Sequence, residues 1–137
     1  MPFLLDTNAC IALINGDNPA LQRKLEKALQ HGEHIYVSSI VAFELWYGVA
    51  NSARAEFNSR RLQTFLSGPI IRLAFDDEDA KAAGSIRADL EARGRPIGAY
   101  DLLIAGQALA RGLTLMTANV SEFSRVKGLS WQDWAKR

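Results

Sequence analysis

The stretch FLLDTNACIALING, residues 3–16, decides how the rest of the chain is read. Phe3, Leu4 and Leu5 form a run that is apolar at every position, the pattern of a short strand buried on both faces. Residues 8–15 read as a short helix that stops at Asn15-Gly16. Asp6 stands at the joint. Two readings stay open for it. In open parallel sheets ligands bind beyond the carboxyl ends of the strands, where Asp6 would lie. Alternatively the carboxylate only caps the helix that follows.

Outward from that joint, strand and helix signals alternate. Asn18-Pro19 opens a second helix, with the cap at Asn18 and Pro19 in the first turn, and its stripe is Leu21, Leu25, Ala28 and Leu29. Ile35-Tyr36-Val37 is a second strand, and Ser38-Ser39 caps a helix to about Ala50. A charged helix over 53–67 ends at Gly68-Pro69, and Ile70 to Leu73 is a third strand. Asp76-Asp77-Glu78-Asp79 open a long helix to about Arg93. Tyr100-Asp101 open another, to Arg111, with Gly112 as its stop. Leu113 to Thr117 is a fourth strand. A last strand is expected near Leu129-Ser130, before a helical tail holding Trp131 and Trp134. The alternation predicts an α/β fold with a central, mainly parallel sheet of four to five strands, covered on both faces, in one domain over 1–137.

At 137 residues the chain is long enough for one real core. Its 16 basic and 15 acidic residues leave a net charge of +1, so nucleic-acid binding must rest on local patches rather than a bulk field. The lone cysteine, Cys10, excludes an internal disulfide and reads as a small buried apolar group. No run is long enough to cross a bilayer and no basic leader precedes Phe3, so the expected location is the cytoplasm, away from membranes. Phosphate-loop, dinucleotide and serine-elbow motifs are absent. His31 and His34 lack the further nitrogen or sulfur ligands that zinc needs.

Three acids carry the chemistry. Glu44, in SSIVAFELWYG (38–48), has Ile40, Val41, Tyr47 and Gly48 as its helical neighbours. Asp101, in PIGAYDLLIAGQALARG (96–112), faces Ile104, Ala105 and Ala108. Singly, Asp101 reads as a charge favoured by a helix start and Glu44 as a half-exposed partner of an arginine such as Arg54. Together with Asp6 they read as carboxylates converging on a cation. Oxygen-only ligands favour Mg²⁺ or Mn²⁺, which activates water and phosphate for phosphodiester hydrolysis. The run Asp76–Asp79 reads instead as acids complementing a helix dipole.

These blocks also resemble a known family. LLDTNACIALI (4–14), SSIVAFELWYG, PIGAYDLLIAGQALARG and LMTANVSEF (115–123), with the closing VKGLSWQDW (126–134), resemble the PIN-domain ribonucleases, and among them the VapC toxins of type II toxin–antitoxin systems. The resemblance implies a three-layer α/β/α PIN fold and a metal-dependent endoribonuclease that stops translation by cutting RNA, often a tRNA. It places the metal-binding acids on Asp6, Glu44 and Asp101. The family's fourth position falls on Asn119, an uncharged and weaker ligand that either completes the site or orients a water. Glu122, three residues on, reads as a surface acid. Thr7 and Thr117 are placed to hold a ligand carboxylate or a water. A homodimer and a cognate VapB-type antitoxin are implied, with DNA met only through the antitoxin.

Arg54, Arg60, Arg61, Arg72, Arg87, Arg93 and Arg95 are the candidates for phosphate contact, and Arg87 is the one expected to reach the acids. The aromatics of FELWYG, with Phe57, Phe65 and Leu66, suit core packing, base stacking or an apolar groove for the antitoxin. Two other classes remain open: a metal-dependent nuclease acting on DNA, and a catalytically weak binding module whose acids meet only basic residues of an antitoxin.

Overall fold

In the computed structural model, which describes residues 2–134, β1 (Phe3–Leu5) is the middle strand of a five-stranded sheet. The chain continues through α1 (Thr7–Asn15), α2 (Pro19–Gln30), β2 (Ile35–Ser38), α3 (Ser39–Ala50), α4 (Ala55–Leu66) and β3 (Ile71–Leu73). It then runs through α5 (Asp77–Ala92), α6 (Ala99–Arg111), β4 (Thr114–Thr117), the short α7 (Val120–Phe123) and β5 (Trp131–Asp133). The strand order is β3-β2-β1-β4-β5 and every pairing is parallel, within the expected α/β class. Parallel neighbours need crossovers, and each connection supplies at least one helix.

The caps follow local chemistry. Asn18 accepts from the Leu21 N–H at 3.0 Å and Ser38 from the Ile40 N–H at 3.0 Å. Gly112 ends α6 with φ 64°, a left-handed conformation that a side chain would strain. Element ends differ from expectation by a residue or two, the usual fraying.

One expectation is corrected. Trp131 opens β5 instead of joining a helical tail, and the strand falls after Leu129-Ser130. The spacing of Trp131 and Trp134 looks helical, but the free edge of β4 decides. Leu115 N–H donates to Ser130 O at 2.9 Å, and the register runs from Leu115↔Trp131 to Thr117↔Asp133. Residues 135–137 of the expected tail lie outside the described residues.

The inner strands are the rigid ones. Leu4, Leu5, Val37, Leu115 and Met116 are wholly buried, each side chain contributing about 1.5–3 kcal/mol over an exposed one, while edge strands β3 and β5 stay partly open. α5 and α6 cross at Gly106, where an added Cβ would stand 2.6 Å from the Ala83 nitrogen. That close approach fixes α6, which carries Asp101.

Candidate active site

The strand order reverses between β1 and β4, and the crevice beyond their carboxyl ends is where such sheets bind ligands. Asp6 is the first residue past β1. Its N–H donates to Met116 O at 3.1 Å, which ties it to β4. Its Oδ1 accepts from the Ala9 N–H at 2.7 Å. Asp6 therefore caps α1, and the cap fixes its carboxylate at the switch point. The side chain is only 5% exposed. Burial pushes its pKa up; the Thr117 hydroxyl and the Ala9 N–H pull it down, Glu44 pushes it up again, and the Trp134 indole pulls it down.

Glu44 comes from α3, half-buried, and its Oε1 accepts from the Thr7 hydroxyl at 2.8 Å. Thr7 thus ties the end of β1 to α3 through the carboxylate. The alternative partner is occupied elsewhere: the Arg54 guanidinium lies over the Phe57 ring, 4.3 Å from its centroid.

Asp101 stands in the first turn of α6. Its pKa is pushed up to about 7, first by burial, then by a side-chain hydrogen bond with Glu122 and the charge of Glu122, then by Glu44 and Asp6. A carboxyl buried against other acids holds its proton well above the ordinary carboxylate range, and Asp101 is in that position. Glu122 is not the surface acid the sequence suggests. Asn119 donates its amide N–H to Glu122 Oε2 at 2.7 Å, and its own backbone N–H goes to Thr117 Oγ1 at 2.9 Å. Asn119 is the residue before α7 and Glu122 lies in its first turn, three residues on, the spacing already noted in the sequence.

The structure therefore brings Asp6, Glu44, Asp101 and Glu122 into electrostatic contact, with Thr7, Thr117 and Asn119 bonded to them. It does not bring Arg87. That guanidinium pairs with Glu91 at 2.9 Å on the exposed face of α5. Arg61 is tied to Ile14 O and Asn15 Oδ1, and Arg93 to Asp89 and Arg125 O. Among the described residues no lysine or arginine forms an ion pair with any of the four acids.

Such a set is costly without a positive charge, and its donors are all oxygen, which fits a hard divalent cation. Among the described residues no group of three or more His, Cys, Asp or Glu side chains is placed to hold a metal ion as it stands. Two of the carboxylates accept from local donors, Glu44 from Thr7 and Glu122 from Asn119. Cys10 takes no part; burial pushes its thiol pKa up and keeps it unreactive.

Two apolar features flank the acids. Phe43 and Tyr100, directly before Glu44 and Asp101, approach at 5.6 Å between ring centroids and are about half exposed. A groove of about 240 Å³ opens between α1, α3 and α4, lined by Ile11, Ile14, Leu45, Val49 and Leu62 with Glu44 at its edge. Trp46, Phe65 and Leu66 pack against the core instead.

Comparison with known proteins sets these features in a family. The PIN domain family model matches residues 3–129. Ribonuclease VapC2 of Rickettsia felis is 41% identical, over 99% of this chain and 100% of that protein. The tRNA(fMet)-specific endonuclease VapC of Shigella flexneri is 39% identical, over 98% of this chain and 99% of that protein. A chain in the crystal structure of VapBC2 from Rickettsia felis, bound to a DNA fragment from their promoter, superposes with a TM-score of 0.92 at 37% identity, covering 98% and 99% of the two chains.

Proposed function

This chain belongs to the PIN-domain VapC ribonucleases, and from that premise we propose that its acids hold Mg²⁺ or Mn²⁺ and that it cuts RNA as the toxin of a VapB-type pair. The observation that carries the reading is the convergence of four carboxylates at the β1/β4 switch point with no ion pair to a cationic side chain among the described residues. Asp6, Glu44 and Asp101 hold the cation. Glu122 supplies the fourth carboxylate that the sequence lacks at Asn119, and Asn119 orients it. In this reading Glu122 stands in for the acid missing at Asn119, which weighs against a catalytically weak binding module.

When bound, the cation supplies Lewis-acid activation of phosphate and water. The chain's own residues do the positioning. The Ala9 N–H and the Thr117 hydroxyl hold Asp6, and Thr7 holds Glu44. Burial and the neighbouring Glu122, Glu44 and Asp6 charges keep the Asp101 proton to about pH 7, and a bound cation would favour the ionised form. Phe43 and Tyr100 offer ring faces on which unpaired bases stack, which suits RNA loops and asks for no large basic field.

The name of the Shigella relative makes tRNA(fMet) the first substrate to try. The Rickettsia complex supports a cognate antitoxin; we propose that this partner occupies the apolar α1–α3–α4 groove and carries the contact with DNA. We further propose one PIN domain over the whole chain, a homodimer in the cytoplasm, and no membrane contact; among the described residues no helix is long and apolar enough to cross one. Arg87 contacts substrate phosphate in this reading only after leaving Glu91.

The test is incubation of antitoxin-free protein with total RNA, with tRNA(fMet) and with DNA of the same sequence, in Mg²⁺, in Mn²⁺ and in chelator. Discrete RNA products that need the cation are expected. Equal cutting of DNA would move the protein to a general nuclease, and intact RNA in every lane overturns the reading.

A further inference from the structure

The end of the described chain holds a polar group with nothing to bond. The Trp134 indole Nε1 is buried and has no hydrogen-bond partner of normal geometry. A buried N–H left open is disfavoured, and few native structures keep one without a use for it. The placement of this indole is not loose. The Trp134 backbone N–H donates to Thr117 O at 3.3 Å, directly after the β4–β5 ladder ends at Thr117↔Asp133. Thr117 is also the residue whose hydroxyl bonds Asp6, so Trp134 leaves the sheet at the strand end that holds that carboxylate. The Asp6 N–H bonds Met116 O at 3.1 Å, the residue directly before Thr117, so Asp6 and Trp134 are both tied to the carboxyl end of β4.

We propose that Trp134 is a positioning residue for the candidate active site: its indole N–H is a further donor to the Asp6 carboxylate, beside the Ala9 N–H and the Thr117 hydroxyl. Donors on the far side of a ligand carboxylate fix its orientation, and removing one commonly costs about tenfold or more in affinity or rate. β5 then has a task beyond covering the β4 edge, because it carries this donor to the switch point. The inference rests on the proposed metal-dependent cleavage, and it adds a residue that the acid motifs alone do not contain.

Trp134→Phe keeps a ring and deletes the N–H. In full-length protein the expected result is a fall of about tenfold in kcat for RNA cleavage with KM unchanged, and weaker Mn²⁺ binding by calorimetry. The metal-free melting temperature should be unchanged or higher, since a buried unpaired N–H has gone. Wild-type kcat and wild-type Mn²⁺ affinity overturn the proposal, and so does a lower melting temperature with kcat intact, which marks packing alone.

A second measurement needs no catalysis. The chain has three tryptophans, so loss of one indole ¹H–¹⁵N signal in Trp134→Phe assigns that of Trp134. In Asp6→Asn that signal should shift, and a fixed signal overturns the contact. If the wild-type protein cleaves nothing, the proposed function fails, while the Mn²⁺ and NMR results still decide the role of the indole.

Discussion

Two acidic clusters of this protein look alike in composition and behave in opposite ways. At the start of α5, Asp76 and Asp79 form a reciprocal capping box, and Arg111 of α6 bonds both, at 2.9 Å to Asp76 and 3.1 Å to Asp79. Gln107 adds a donor to Asp79 and another to Ala74 O. Asp79 is fully buried yet answered on every side. At the switch point Asp6, Glu44, Asp101 and Glu122 meet no such counterion among the described residues, and the cost appears as a raised Asp101 pKa. The density of acids is therefore a poor guide to a site. An acid cluster left without its own cation is the informative one, because something else must supply the charge.

The largest expected effect breaks the switch-point cluster while sparing the fold. Asn caps a helix about as well as Asp, so Asp6→Asn should keep α1 and the melting temperature. It should cost about a thousandfold in RNA cleavage, the order seen when a group that stabilises a transition state is deleted. Kinetics on matched preparations check this, and cleavage within tenfold of wild type would contradict it.

The next largest reverses the roles. Arg111→Met leaves Asp79 buried without its partner, and stability should fall by about 2–3 kcal/mol in urea unfolding, less than for a fully buried pair because Arg111 is part exposed. Cleavage per folded molecule should not change. A strong loss of cleavage with normal stability would mean that the two clusters are not separable.

A smaller effect sharpens the role of the acid the sequence did not favour. Glu122→Gln and Asn119→Ala should each lower cleavage by about tenfold. Their double variant should lose little more than either alone, since the two side chains act as one unit. Independent, multiplying losses would place Asn119 on the cation or substrate directly.

The smallest effect lies in pH dependence. In the fold Asp101 keeps its proton to about pH 7, whereas unfolded it titrates near 4. Between those values the native state binds more protons, so its contribution to the stability of metal-free protein falls as pH rises from about 4 to 7. Asp76 runs the other way. The Asp79 N–H, and also the Arg111 charge, hold its pKa below the usual value, so its contribution is present above about pH 4 and is lost as pH falls below it. Asp101→Asn should raise the melting temperature at pH 8 and remove the first slope only.

What could be seen in the sequence was local. Asp6 at the end of an apolar triplet, the Asn18-Pro19 and Ser38 starts and the Gly112 stop all depend on neighbours in the chain. So did the reading of Asp76–Asp79 as a helix start. The features that escaped depend on distant partners. Glu122 looks like a surface acid until α6 brings Asp101 against it. Arg111 bonds Asp79 across 32 residues, which no periodicity announces. β5 was misplaced because three half-buried residues carry no alternation, and only the edge of β4 selects their register. Arg87 was expected near the acids from its place before Asp101, but its i,i+4 neighbour Glu91 lies closer.

The most direct test is thermal unfolding of the antitoxin-free protein at pH 8 as Mn²⁺ is added. A cation completing the switch-point cluster binds only the folded state, so at about a hundred times its Kd it should add about 2.7 kcal/mol of stability. The account predicts a rising melting temperature in wild type and in Asp76→Asn, and none in Asp6→Asn or Asp101→Asn. A wild-type protein that cleaves RNA while its melting temperature ignores millimolar Mn²⁺ and Mg²⁺ would contradict it.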